Sequence, residues 1–230
     1  MPFHVKPSEN SLQLPVLSVA QKDALESFSE LARGFNRRLN LYSEESAEHF
    51  WQRHILHTLP LACRSFPPGA RVVDWGTGGG IPGLPLAILF PEVEFLLVDA
   101  VEKKLRAVKT MARRLNLDNL QVWHGRAEHW EGSLTHSVSR ATSSLNTLWT
   151  WHRRGAGLAK APGSQAPHHW PEGLLCLKGG ALRSEIDELQ SQYPNAAVET
   201  VELRKLMVDE YFATKSLLLV TERARTETQR

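Results

Sequence analysis

The polar and apolar positions of this chain change period along its length, and the changes mark its elements. Ser18 and Gln21 stand at capping-box spacing, and Leu25, Phe28, Leu31, Ala32 and Phe35 then recur at helical intervals, which predicts a helix over about 18–38. A second helix is expected from a Ser46 cap, carrying Phe50, Trp51, Ile55, Leu56 and Leu59 and ending near Pro67-Pro68. From Arg71 onward short apolar runs alternate with amphipathic segments. Strands are expected near 71–75, 94–99, 120–124, 136–140 and 173–178, with helices near 82–90, 102–115, 143–153 and 181–191. The order then breaks. Val198 to Val208 and Ser216 to Thr221 read as two more strands without a full helix between them, so a terminal antiparallel pair is expected. Residues 1–17 lack a clear period and read as a loose arm, Gly155 to Gly173 as a mobile surface loop, and the tail from Glu222 as a frayed end.

The stretch from Val72 to Asp99, VVDWGTGGGIPGLPLAILFPEVEFLLVD, gathers these signals into one unit: an apolar run, a glycine-dense turn, a helix-length segment and a second run ending in an acid. That is the βαβ arrangement on which nucleotide-like cofactors sit. Two cofactor classes compete for it. Gly78, Gly80 and Gly83 spell the GxGxxG of a dinucleotide fold, but Pro82 and Pro85 lie where a pyrophosphate needs free N–H groups, which counts against NAD. The other register, Asp74-x-Gly76-x-Gly78-x-Gly80, places a carboxylate at the strand end just before the glycines, the S-adenosylmethionine (SAM) pattern. A nearby acid and open backbone suit that cofactor's ammonium and sulfonium. Asp99 can hold a ribose in either class and does not decide between them.

The segment DWGTGGGIPGLPLA at Asp74 to Ala87 closely resembles the marker of the bacterial small-subunit ribosomal RNA methyltransferase G family, also called glucose-inhibited division protein B. Lys103-Lys104, GRAE at Gly125 to Glu128, SRA at Ser139 to Ala141 and LKGG at Leu177 to Gly180 follow in that family's order. Upstream, LNLYS at Leu39 to Ser43 and HILHTL at His54 to Leu59 are similar to its amino-terminal motifs. The resemblance covers roughly Leu25 to Gly180. It implies a Rossmann-like SAM-dependent methyltransferase fold: an α/β protein with a mostly parallel seven-stranded sheet flanked by helices and an amino-terminal helical cap. The arm and cap would occupy 1–68 and the SAM-binding domain 69–230, in one compact unit. It also implies methylation of nitrogen 7 of guanine 527 in 16S rRNA of the small ribosomal subunit. By the same resemblance Gly76, Gly78, Gly80 and Ile81 line SAM, Asp99 holds its ribose, Ala127 and Glu128 flank its adenine, and Arg140 meets cofactor and acceptor. One departure stands out: His57 occupies a position where the family usually has an acid.

Guanine nitrogen 7 already carries a free lone pair, so methyl transfer to it needs alignment and no general base. Other nucleic-acid methylations leave different marks. Amine methylation commonly uses an Asn or Asp-Pro-Pro-aromatic motif, where this chain reads Ser139-Arg140-Ala141-Thr142; pyrimidine carbon methylation needs a cysteine nucleophile, and neither Cys63 nor Cys176 is placed as one. A different methyl acceptor, an NAD-dependent oxidoreductase and a non-catalytic RNA-binding assembly factor remain as alternatives.

Composition changes this picture little. With 27 Lys and Arg against 25 Asp and Glu the net charge is +2, so RNA binding must rest on where charges fall. Candidates for an RNA surface are Arg33, Arg37, Arg38, Arg53, Trp75, Arg140, Arg153 and Arg154. The run Lys103, Lys104, Arg106, Lys109, Arg113 and Arg114 reads equally as a solvated helix face. Lys178, at the end of an apolar strand, could face a ligand or snorkel. Two distant cysteines offer no CxxC, and the histidines match no zinc spacing, so no metal is expected. No signal segment or membrane-length apolar run is visible. A cytoplasmic monomer is expected.

Overall fold

The computed structural model describes residues 12–140, 142–156 and 166–223. Seven strands form one sheet in the order β3-β2-β1-β4-β5-β7-β6. They are β1 (Arg71–Trp75), β2 (Glu94–Asp99), β3 (Leu120–His124), β4 (His136–Arg140), β5 (Gly173–Gly179), β6 (Ala196–Glu202) and β7 (Lys215–Glu222). The first five are parallel, and β7 runs antiparallel between β5 and β6. Trp75 pairs with Val98, Arg140 with Leu177 and Gly179 with Lys215. The carboxyl ends of the parallel strands and the amino end of β7 therefore share one edge. The strand order reverses between β1 and β4, so a crevice opens there, where open α/β sheets bind ligands.

Both faces of the sheet are covered, which is why its strands are apolar at consecutive positions. Val72, Phe95, Leu97, Val138, Leu175, Leu177, Leu217 and Leu219 point to one side, while Val73, Val98, Leu174, Cys176, Leu218 and Val220 point to the other. On the first side lie α1 (Val19–Leu39), α3 (Gly83–Leu89) and α4 (Glu102–Arg114); on the second lie α5 (Leu145–Gly155) and α6 (Arg183–Gln192). Helix α1 forms where the period placed it. Ser18 Oγ accepts from Gln21 N and Gln21 Oε1 from Ser18 N, closing the capping box. Its Leu25, Phe28 and Ala32 enter the same core as the sheet; burying each larger side chain is worth roughly 2 kcal/mol.

Several expectations need correction. Ser43, not Ser46, caps the second helix: α2 (Glu44–Glu48) is short and is followed by a π-helical segment, Trp51–Leu56, and a 3-10 turn at Leu59–Ala62. Leu12, Leu14 and Leu17 pack on the core, so this end of the arm is anchored. The Gly155 to Gly173 loop is described at 155–156 and from 166 on, and the latter part is tied down. Trp170 is buried, its Nε1 donates to Leu61 O at 2.8 Å, and His169 bridges to Ser65. Strand β6 ends at Glu202, after which 3-10 turns at Leu203–Lys205 and Glu210–Phe212 lead into β7, so Leu203 to Val208 is not strand. The rest of the arm, 1–11, and the tail from 224 lie outside the described residues. No helix among the described residues is long and apolar enough to cross a membrane.

Candidate active site at the carboxyl edge of the sheet

The glycine loop after β1 is wound by its own backbone. Thr77 N donates to Val98 O, and Gly80 N and Ile81 N both donate to Thr77 O. Asp99, at the end of β2, fixes it from the side: Oδ2 accepts from Gly78 N and Oδ1 from Val101 N, each at 2.8 Å. The Asp99 carbonyl accepts from Gly125 N, which sets the turn carrying Ala127 and Glu128 next to it. Three separate stretches expected to hold a cofactor thus meet at one place. Gly78 is the position open to a ligand. Its φ is +57°, and a Cβ there would find no atom nearer than Gly76 O at 4.0 Å. Gly76 instead packs on Thr142, whose hydroxyl donates to Trp75 O, and the Ile81 side chain lies in the hydrophobic core, leaving its backbone to face the loop.

Asp74 does not stand open to a ligand as its place in the motif suggests. It is fully buried beneath the loop, where Oδ2 accepts from Gly83 N at 2.9 Å and so anchors the first turn of α3. Burial pushes its pKa up to about 7. The carboxyl is an internal brace more than a counter-ion.

The amino-terminal helices reach the same loop through Tyr42. Its hydroxyl donates to Gly79 O at 2.5 Å, and its ring lies so close that a Cβ on Gly79 would fall 2.3 Å from it. Burial pushes this phenol well above its ordinary pKa, so it remains a donor. Asn36 Oδ1 holds the Tyr42 backbone N–H at 2.8 Å.

Arg140, at the end of β4, lies under the same helices. Its Nη1 donates to Arg53 O at 2.9 Å, and among the described residues no carboxylate pairs with it. Burial lowers its pKa below the usual arginine value, opposed by Tyr211, Tyr42 and Asp74. Around it, both ring nitrogens of His54 and the Arg53 Nε are buried without hydrogen-bond partners among the described residues, while His57 lies against the Arg53 backbone and Thr77 beside the Asp74 carboxyl. Desolvation, with the Arg140 charge, pushes His54 and His57 down to about 3, so both are neutral at pH 7. Neither His54 nor His57 brings a negative charge to the guanidinium.

Other sequence candidates fall elsewhere. Trp75 is fully buried against Trp130 and Trp151 and cannot touch RNA. Lys178 is committed to Glu185 at 2.6 Å and Ser143 O at 2.8 Å, a structural ion pair. Arg153 pairs with Glu222, and Arg154 donates to Glu128 O. Arg33 and Arg37 line an open hollow beside Tyr42. The basic residues of α4 face outward, with Arg106 paired to Glu102. Sequence reasoning missed Tyr42, Tyr211 and Lys215. The first lay in a recognised motif without a role; Tyr211 sits in an aperiodic turn and Lys215 at the start of β7, and their relation to the edge depends on β7 pairing with β5.

A sheet in this order, with one antiparallel strand near its end, a glycine loop after β1 and an acid after β2, defines a Rossmann-like SAM-dependent methyltransferase. Solved structures share the fold. Bacillus subtilis YcgJ superposes with a TM-score of 0.50 at 13% identity, over 74% of this chain and all of that one. A mutant of MtNAS in complex with S-adenosylmethionine gives 0.50 at 13% identity, over 89% of this chain and 77% of that one.

The family model for rRNA small subunit methyltransferase G matches residues 21–209, and the chain belongs to that family. It is 47% identical to the ribosomal RNA small subunit methyltransferase G of Salinibacter ruber, over 89% of this chain and 94% of that protein. With the protein of the same name from Porphyromonas gingivalis it shares 39%, over 89% and 88%.

Proposed function

We propose that this protein transfers a methyl group from SAM to nitrogen 7 of guanine 527 in 16S rRNA of the small ribosomal subunit. The observation that carries the reading is the meeting, at one sheet edge, of an open glycine loop, an acid at the end of β2 and a guanidinium with no carboxylate partner. The residues fit the cofactor. Gly78 would leave room for its methionine and ribose, Gly76, Gly80 and Ile81 would face them with backbone alone, and the half-exposed Asp99 would accept from the ribose hydroxyls. Ala127 and Glu128 would flank the adenine. When bound, SAM supplies an electrophilic methyl on a sulfonium.

The protein's part is then alignment. Guanine nitrogen 7 needs no deprotonation, and the site supplies no obvious base: His54 and His57 are pushed down to about 3, which makes them weak bases, and Asp74 is fully buried beneath the loop, bracing Gly83 N–H. Arg140 orients the acceptor nucleotide, its charge strengthened by a water-poor setting. Because side chains cannot read the deep A-form groove, the target guanine must enter unstacked. The chain acts as a monomer in the cytoplasm.

The test is incubation with radiolabelled SAM and small subunits from a strain lacking the modification, followed by mapping of the label. Label on nitrogen 7 of that guanine is expected. SAM binding without label at that atom would refute the acceptor, and absence of SAM binding would refute the enzyme class.

A further inference from the structure

Beside Arg140, on the outward side of the cap, three groups converge that none of the site motifs contains. Tyr211 lies in the 3-10 turn between β6 and β7, positioned by Asp209, whose Oδ1 accepts from Tyr211 N at 2.8 Å and whose other oxygen meets Gln52. Lys215 Nζ stands 4.0 Å from the centroid of the Tyr211 ring, and the Arg53 guanidinium stands 5.3 Å from it. Two like charges are thus drawn together on one phenol, where ring faces attract cations. All three residues are half-buried. The Arg53 carbonyl is the group that Arg140 grips, so this cluster and the acceptor site share a backbone atom.

The charges here do not balance. Arg53 pairs with Glu45 at 2.7 Å, but that carboxylate side chain is 75% exposed, and such a pair is weak and readily exchanged. Neither Lys215 nor Arg140 has a carboxylate within ion-pair distance among the described residues. The Arg53 Nε is buried beside the ring with no hydrogen-bond partner among the described residues. The neighbouring His54 and His57 stay neutral and bring no negative charge. Lys215 begins β7 opposite Gly179, the last residue of β5, and so projects from the same edge as the glycine loop and Arg140.

We infer that Arg53 and Lys215, held by Tyr211, form a phosphate-binding site that grips the RNA backbone next to the nucleotide being methylated. This deepens the proposed function and rests on it. An anion there would replace Glu45 on the outward Nη2 of the Arg53 guanidinium and meet the Lys215 ammonium together with it, leading the strand toward Arg140. A free protein carboxylate would meet the same charges, but only a polyanion engages this cluster and Arg140 at once.

The experiment measures methylation of small subunits from the unmodified strain across a series of monovalent salt concentrations at fixed magnesium, for wild type, Lys215→Gln, Arg53→Gln, the double variant and Tyr211→Phe, with SAM affinity by calorimetry. For a single strand each lost phosphate contact lowers the slope of log affinity against log salt by about 0.7, which at 0.15 M is about fourfold. Each glutamine variant should raise KM for the subunit about fourfold and the double about fifteenfold, with a shallower salt slope, while kcat and SAM affinity hold. Tyr211→Phe keeps the ring that gathers both cations and should keep the steep salt slope that the glutamine variants lose. An unchanged KM and slope in the double variant, with SAM affinity intact, would overturn the inference while leaving the methyltransferase reading in place. A fall in kcat or in SAM affinity with KM unchanged would assign the cluster to the fold instead. If wild type itself transfers no methyl to the subunit, the underlying reading fails, and the phosphate site falls with it.

Discussion

Replacing Gly78 by valine should separate cofactor binding from folding. Gly78 has φ +57°, which costs an L-residue about 1–2 kcal/mol, yet the space around it is open, with the nearest atom to a new Cβ at 4.0 Å. The fold therefore bears a cost of about 1–2 kcal/mol, equivalent to a fall in melting temperature of roughly 2–8 °C for a chain of this size. The open space itself is where the cofactor has to approach the loop. A branched side chain there obstructs it, and forced overpacking costs about 1–3 kcal/mol, so affinity for SAM should fall about 5- to 150-fold. Calorimetric titration with SAM, beside a thermal melt of each protein, reads both quantities. Unchanged affinity in Gly78→Val would refute this placement of the cofactor. The neighbouring Gly79→Ala is the contrast: its Cβ falls 2.3 Å from the Tyr42 ring, so it should disturb the fold more, although alanine is the smaller change.

Arg140→Ala removes an uncompensated buried charge and one hydrogen bond, so the melting temperature should move by no more than about 3 °C while methylation falls about 100-fold or more; equal losses of both would make it a structural residue. Tyr42→Phe leaves the Gly79 carbonyl without its donor and should cost about 1–2 kcal/mol in urea unfolding and about tenfold in SAM affinity, whereas unchanged SAM affinity would deny that the cap supports the loop. Stability should also fall as pH drops below about 6.5. His54, His57 and His152 are pushed down to about 3 and His136 to about 4, so the unfolded chain binds four more protons there, and Asp74, raised to about 7, returns one to the folded side. The net of three protons gives a slope of up to about 4 kcal/mol per pH unit between roughly pH 4 and 6.5. A melting temperature that stays level from pH 7 to pH 5 would show that these imidazoles ionise inside the fold.

Much of the fold was legible because local periods and the sheet agree. Strands β1 to β4 begin and end where the apolar runs do, and the Ser18 to Gln21 capping box marked the start of α1. The cofactor loop was legible for a similar reason, since four glycines and a following acid constrain backbone and partner together. What escaped depends on contacts distant in sequence. The switch to a π-helical register at Trp51 has no local marker and is met by Arg140 Nη1 bonding the Arg53 carbonyl, 87 positions away. Asp74 reads as a ligand-facing acid until Gly83 N is seen to cover it. Trp75 offered a planar group for a base, but pairing with Val98 turns it inward toward Trp130 and Trp151.

The place of β7 between β5 and β6 has a consequence for a chain made from its amino end. Strand β6 emerges first but has no partner in the finished sheet other than β7, so it must wait, and β5 keeps an unsatisfied edge meanwhile. An open edge of this kind invites wrong pairing. The glycine loop, Asp99 and Arg140 are all synthesised before that moment, whereas Lys215 arrives with the strand that closes the sheet. An unfinished chain could therefore assemble the cofactor loop while lacking the Lys215 ammonium, and the two would stand at one edge only after β7 is in register.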